Sequence, residues 1–189
     1  MGTVTPGNLA MGPGTLYVGD YGATEPDDGD VSAAPSSAVW SDVGATLGGI
    51  QLIVTAEYKK LEADQLPMSP ESRRTSLAVQ VKTKMAEVTL DNLKYALNGA
   101  DGDVTSGSGY SKYTPSLDDS SASPTYRAVI FDGLGPGGCN RRVIVRKVLS
   151  TANIEATSSK EDQQAFDVTL DAHYVSSSIA PYDVIDEAV

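Results

Sequence analysis

The sequence predicts a mainly β fold: a β-sandwich or barrel-like domain with one long β-hairpin and a single flanking α-helix. Three observations carry that prediction. Two runs, one starting at Ile50 and one ending at Met85, alternate apolar and polar residues at period two. Shorter runs rich in Val, Ile, Thr and Tyr are bounded by Gly and Pro clusters. Helical spacing of leucines is confined to residues 89–98.

A chain of 189 residues fits one large domain or two small ones, and one domain over residues 14–178 is expected. Residues 1–13, rich in Gly and Pro, read as a flexible N-terminal arm. Thr15-Leu16-Tyr17-Val18-Gly19 is a short strand. Residues 20–37 then collect Gly22, Pro26, Gly29, Pro35 and the acids Glu25, Asp27, Asp28 and Asp30, the mark of a surface loop. Asp27-Asp28-Gly29-Asp30 lacks the alternating ligand positions and closing Glu of a calcium-binding loop. Residues 38–43 form a second strand, with Trp40 covering one end of the core, and Gly44 and Gly48-Gly49 punctuate the chain before the hairpin.

In the first hairpin strand Ile50, Leu52, Val54, Ala56 and Tyr58 face one way, and Gln51, Ile53, Thr55, Glu57 and Lys59 face the other. In the second, Leu77, Val79, Val81 and Met85 oppose Ser76, Gln80, Lys82 and Lys84. Eleven extended residues reach roughly 35 Å, longer than an average strand. The connector, residues 61–74, carries Glu62, Asp64, Gln65, Leu66, Met68, Glu71, Arg73 and Arg74. From Glu57 to Arg74 four acids balance four bases. Such a tip suits docking on a complementary copy of the same chain; a plain solvated loop has the same composition. A helix over residues 89–98 follows, with Thr89 as N-cap, Asp91 in the first turn, Gly99 as the stop and a Leu90, Leu93, Leu97 stripe for packing on the sheet.

Residues 99–125, rich in Gly, Ser and Asp, read as a long insertion without periodicity. Asp101-Gly102-Asp103 is too sparse for a metal site. Residues 126–131 and 142–149 are strands around a glycine-rich turn, Gly133-Leu134-Gly135-Pro136-Gly137-Gly138, which lacks the Gly-Lys-Ser/Thr of a phosphate-binding loop. Arg141, Arg142, Arg146 and Lys147 form the one basic cluster, best read as salt bridges to acidic neighbours. Phe166, Val168, Leu170, Ala172 and Tyr174 alternate with Asp167, Thr169, Asp171 and His173 in a last strand. Residues 179–189 read as an acidic C-terminal tail.

The net charge of -11 disfavours a surface that grips nucleic acid by neutralising phosphates. Cys139 is the lone cysteine, so no intrachain disulfide forms. The first residues lack a basic and apolar leader pattern, and no run of 18 apolar residues occurs, so no membrane association is expected. One His and one Cys leave no convergent set for a catalytic triad or a zinc centre. Aromatic platforms for a carboxylate-based glycosidase are scarce. No catalytic residue, metal ligand or cofactor is assigned, and the expectation is a protein that is not an enzyme.

Gly14-Thr15-Leu16-Tyr17-Val18-Gly19 followed by an acidic loop, Trp40 near Gly44, and Thr55-Ala56-Glu57-Tyr58 running through Asp64-Gln65 to Leu97-Asn98-Gly99 give the chain a recognisable order. On these residues it resembles the major tail proteins, or tail tube proteins, of long-tailed siphophages, especially those of actinobacterial hosts. The likeness spans about half of the chain firmly. It implies a structural virion protein, made in the host cytoplasm, whose subunits form hexameric rings stacked into a tube. Inner strands would join into a barrel around a channel, and loops and terminal arms would lock successive rings. Tape measure, terminator and distal tail proteins would be its partners, and double-stranded DNA a passenger that does not adhere. Within that picture the tip residues Glu62, Asp64, Gln65, Leu66, Met68, Glu71, Arg73 and Arg74 contact the next ring. Gln51, Glu57, Gln80, Asp167 and Asp171 are the candidate positions facing an acidic lumen. An adhesin-like surface β-domain, and a tail terminator or connector that stops at one ring, remain open alternatives.

Overall fold

A computed structural model describes residues 9–62, 64, 66–116 and 124–188. Ten strands and one helix are described: β1 (Thr15–Asp20), β2 (Trp40–Asp42), β3 (Thr46–Leu61), β4 (Glu71–Met85), α1 (Leu90–Ala96), β5 (Val104–Gly107), β6 (Tyr110–Tyr113), β7 (Arg127–Leu134), β8 (Asn140–Ser150), β9 (Phe166–Ala172) and β10 (Tyr182–Asp186). The fold is mainly β. One antiparallel sheet runs β2-β1-β7-β8-β9-β4-β3, and β10 pairs with β8 on the stretch that β9 leaves free.

The sheet curls. Leu16 and Val18 of β1 share one core with Val81 and Met85 of β4, although three strands lie between them, and Val129, Val143, Val145, Phe166 and Val168 fill the space. A Cβ on Gly14 would lie 3.3 Å from Ile50 Cδ1, so the two ends of the curl approach each other. They do not pair, and the barrel-like sheet stays open with β2 and β3 as its edges. A smaller cluster of Trp40, Ala128, Ile130 and Ile144 covers the other face of the central strands. Gly19 lies under the indole, where an added Cβ would come within 2.8 Å of Trp40 Cε3, and Trp40 Nε1 donates to Thr24 O at 3.0 Å.

Several sequence boundaries shift. The strand expected from residue 38 begins at Trp40, because residues 37–39 turn. Gly48 and Gly49 do not precede β3 but lie inside it, at φ +73° and +83°, forming a bulge between Leu47 and Gln51. Only glycine takes this region cheaply, and the bulge bends the strand. Thr89 caps α1 as expected, its Oγ1 accepting from Asn92 N at 3.1 Å. The stop is Asn98 at φ 55°, one residue ahead of Gly99. Its side chain donates to Ser150 O at 2.8 Å and accepts from Ser150 N at 2.7 Å. Of the leucine stripe, Leu93 packs on the core and Leu97 is exposed, while Asn92 and Ala96 are the buried face. Asn92 holds the helix to the sheet by donating to Val43 O and Glu87 O, both at 2.8 Å.

Residues 99–125 are not wholly irregular, since β5 and β6 form a hairpin there; residues 117–123 lie outside the described residues. β7 runs on through Gly133 and Leu134, so the turn to β8 is only residues 135–139. The expected acidic tail contains β10, docked on β8 by Arg141 and Asp186 at 2.6 and 2.7 Å and by the Arg146–Asp183 pair. Of the expected N-terminal arm, residues 1–8 lie outside the described residues, and Leu9 and Met11 are exposed.

Candidate assembly surface

The hairpin expected from the alternation is present, and its strands, of 16 and 15 residues, are the longest described. β4 pairs with β9 only from Gln80 to Met85, so residues 71–78 of β4 and 54–61 of β3 have only each other as strand partners. They form a two-stranded arm on the order of 25 Å long. A two-stranded hairpin in water is marginally stable by itself.

The register extends one apolar row beyond the core. Leu52 faces Val81, Val54 faces Val79 and Ala56 faces Leu77. At the base this row is core, with Val81 fully buried and Leu52 packed beside it. Further out Val54 is 42% exposed, Leu77 39% and Tyr58 65%. A groove of about 510 Å³ lined by Leu77, Val79, Tyr174, Val175, Ile179 and Pro181 continues the row along the body.

The tip is smaller than the sequence suggests. Glu71, Arg73 and Arg74 are strand residues, opposite Leu61, Lys59 and Tyr58, with a bulge at Glu57/Tyr58. Glu62, Asp64, Leu66 and Met68 belong to the turn, with Met68 81% exposed; Gln65 lies outside the described residues. Ser69 Oγ donates to Leu61 O at 2.6 Å and gathers the turn.

The five candidate lumen positions share one face. Cross-strand neighbours lie on the same side of a sheet, and the rows read Gln51–Lys82–Thr169, Ile53–Gln80–Asp171 and Glu57–Ser76, with Lys84 opposite Asp167. Gln80 Nε2 donates to Asp171 Oδ1 at 2.6 Å, Thr151 Oγ1 to Asp171 Oδ2 at 2.8 Å, and Ser76 Oγ to Glu57 Oε2 at 2.9 Å. Lys84 pairs with Asp167 at 3.2 Å. Three carboxylates therefore share this face with Lys82 and Lys84 and, towards the tip, with Lys59 opposite Arg73, so the face is hydrophilic and, against expectation, not acidic.

The basic cluster of β8 is consumed inside the chain. Arg142, 1% exposed, forks onto Asp132 with two bonds of 2.7 Å and donates to Asp30 O and Ala33 O, pinning the acidic loop to the sheet. Arg146 forks onto Glu25 at 2.6 and 2.9 Å. That bond, with Asp183 beside it, raises the Arg146 pKa further. The hydrogen bonds from Arg141 hold the Asp186 carboxyl below its usual range. Burial, with Asp132 and Asp42 nearby, raises the Tyr17 phenol. Lys147 lies over the Tyr126 ring at 4.3 Å.

Among the described residues no three His, Cys, Asp or Glu side chains gather as metal ligands, and no helix is long and apolar enough to cross a membrane. His173, expected in mid-strand on a polar face, follows the end of β9 and packs edge-on against Tyr126 at 5.3 Å. Its Nε2 is buried with no hydrogen-bond partner among the described residues. The cavity of about 430 Å³ over Trp40 contains Glu25 and Arg146, which are already bonded to each other.

The sequence reading missed the continuity of the apolar row from core to arm. Its signal was the unbroken alternation from Leu52 to Tyr58 in a segment too long for the body. Comparison with protein-family models and with curated proteins finds no match to this chain.

Proposed function

We propose that this chain is a self-assembling structural subunit: a tail tube protein of a long-tailed phage, stacking as rings into a conduit for double-stranded DNA. One observation supports the reading above the others. The β3–β4 arm leaves the body with its apolar row uncovered over Val54, Tyr58 and Leu77. A row of this kind on a two-stranded hairpin calls for a partner surface, and a repeated head-to-tail contact between identical copies produces rings or filaments. The open sheet edge of β3 fits the same mode of growth, since unpaired strand edges are satisfied by a neighbouring strand. The hydrophilic face with Gln51, Glu57, Gln80, Asp167 and Asp171 is the side suited to a channel over the body, where Lys84 is paired with Asp167 and the carboxylate of Asp171 stands against phosphate.

Negative-stain electron microscopy of the purified chain tests the reading. Stacked rings or tubes are the expected result; single rings would favour a terminator, and dispersed monomers an adhesin-like module. Deleting residues 62–71 should leave the melting temperature in place and abolish tubes. Long tubes from the deleted chain would remove the arm tip from the assembly contact.

A further inference from the structure

The arginines of this protein fall into two populations, and two lysines of the arm join the second. In the body, Arg127 is held by Asp20 and Asp101, Arg141 by Asp186, Arg142 by Asp132 and Arg146 by Glu25 and Asp183. On the arm, Lys59, Lys60, Arg73 and Arg74 have no ion-pair partner among the described residues. The register places Lys59 directly opposite Arg73 on the hydrophilic face, with Arg74 and Lys60 on the adjoining pairs and so on the face of Tyr58, a band that girdles the arm. Like charges facing each other across two strands are destabilising. Lys82, Lys112, Lys147 and Lys160 also lack an ion-pair partner among the described residues but stand singly. These four cations instead crowd three successive residue pairs of the arm in a chain of 25 acids and 14 bases, a repulsion that an anionic partner would relieve.

We propose that this band is the docking contact of the arm and that its occupant is the carboxylate-bearing surface of a second copy of the chain. The proposal rests on the assembly reading and adds the chemistry of its contact. Two features favour a protein over a nucleic acid. The band borders the uncovered apolar row at Tyr58 and Leu77, which a phosphate backbone does not cover. Beyond the band the charged residues Glu62, Asp64 and Glu71 are all acidic and repel phosphate. A second copy, at net charge -11 and with the body's arginines already paired, offers free carboxylates together with apolar surface.

Sedimentation velocity on the full chain provides the test, with salt raised from about 0.05 M to about 1 M so that the Debye length falls to about 3 Å. Wild-type assemblies should dissociate as salt rises. A variant with Lys59, Lys60, Arg73 and Arg74 all changed to Glu should remain monomeric throughout with an unchanged circular dichroism melt, because the arm lies outside the core. That variant keeps the acceptor surface, so a small fraction of it should shorten wild-type assemblies. Gln at the same four positions is the gentler variant and should need roughly tenfold more protein to assemble. Wild-type assemblies indifferent to salt and to both variants overturn the proposal and leave the assembly reading standing. A wild-type chain that is monomeric at every salt overturns both. Retention of a short DNA duplex by the wild type and not by the Glu variant overturns it in favour of a nucleic-acid contact.

Discussion

Arg142 shows how one residue can organise a region. A guanidinium withdrawn from water costs several kcal/mol unless each donor direction is answered, and here Asp132, Asp30 O and Ala33 O answer it. Changing Asp132→Ala leaves that buried charge without its counterion. The expected loss is about 3 kcal/mol, read as a lower urea midpoint. Arg141→Ala, which removes the solvent-facing pair with Asp186, should barely move the midpoint; equal effects from the two changes would contradict this ranking. Asn98 makes a similar point about legibility. Asn tolerates the left-handed region less well than Gly, yet its amide secures both backbone groups of Ser150, a gain Gly99 could not supply. Only the tertiary structure brings Ser150 to that position, so the sequence favoured the neighbouring glycine.

At the level of elements, the arm and the body should differ in local stability. The amides of residues 54–61 and 71–78 belong to a hairpin open to solvent on its outer edges, whereas those of residues 80–85 sit between β3 and β9. In hydrogen exchange of the monomer the arm should lose protection first, and on assembly it should gain it. Protection of the arm that is equal in both states would mean that it stays uncovered. The alternation of Leu52 through Tyr58 made this hairpin legible. Its outer limit was not, because residues 71–75 are charged and polar and read as loop, while pairing with residues 58–61 carries them into the strand. β10 was hidden for a related reason: Asp183 and Asp186 look like tail composition until Arg146 and Arg141 are set opposite them. The β5–β6 hairpin did carry a local signal, Ser108-Gly109 with Gly109 at φ +83° between two short runs, but the surrounding Gly and Ser obscured it.

For the whole molecule, the charge of -11 is distributed unevenly. Over the body, the face proposed for the channel carries Lys82 and Lys84 beside Asp167 and Asp171, so weak adhesion there comes from pairing rather than from repulsion. Changing Glu57 and Asp171 to Lys would leave six cations on that face with Asp167 alone against them. Tubes should still form, and DNA ejection through them should slow; unchanged ejection kinetics would count against this face as the channel wall. The barrel-like curl and the helix brace could be expected in kind, the one from apolar alternation and the other from leucine spacing. The way the edges approach each other without pairing could not, since it depends on accumulated strand twist.

The Arg142 clamp also implies an order of events as the chain folds. Its bonds to Asp132 span 10 residues, within one hairpin, whereas those to Asp30 and Ala33 span 112 and 109. Closing a long loop costs more entropy than closing a short one, and the acceptors on residues 20–37 are useful only once the guanidinium is already aimed. The β7–β8 hairpin therefore sets the anchor early, and the acidic loop near the start of the chain is among the last pieces to lock.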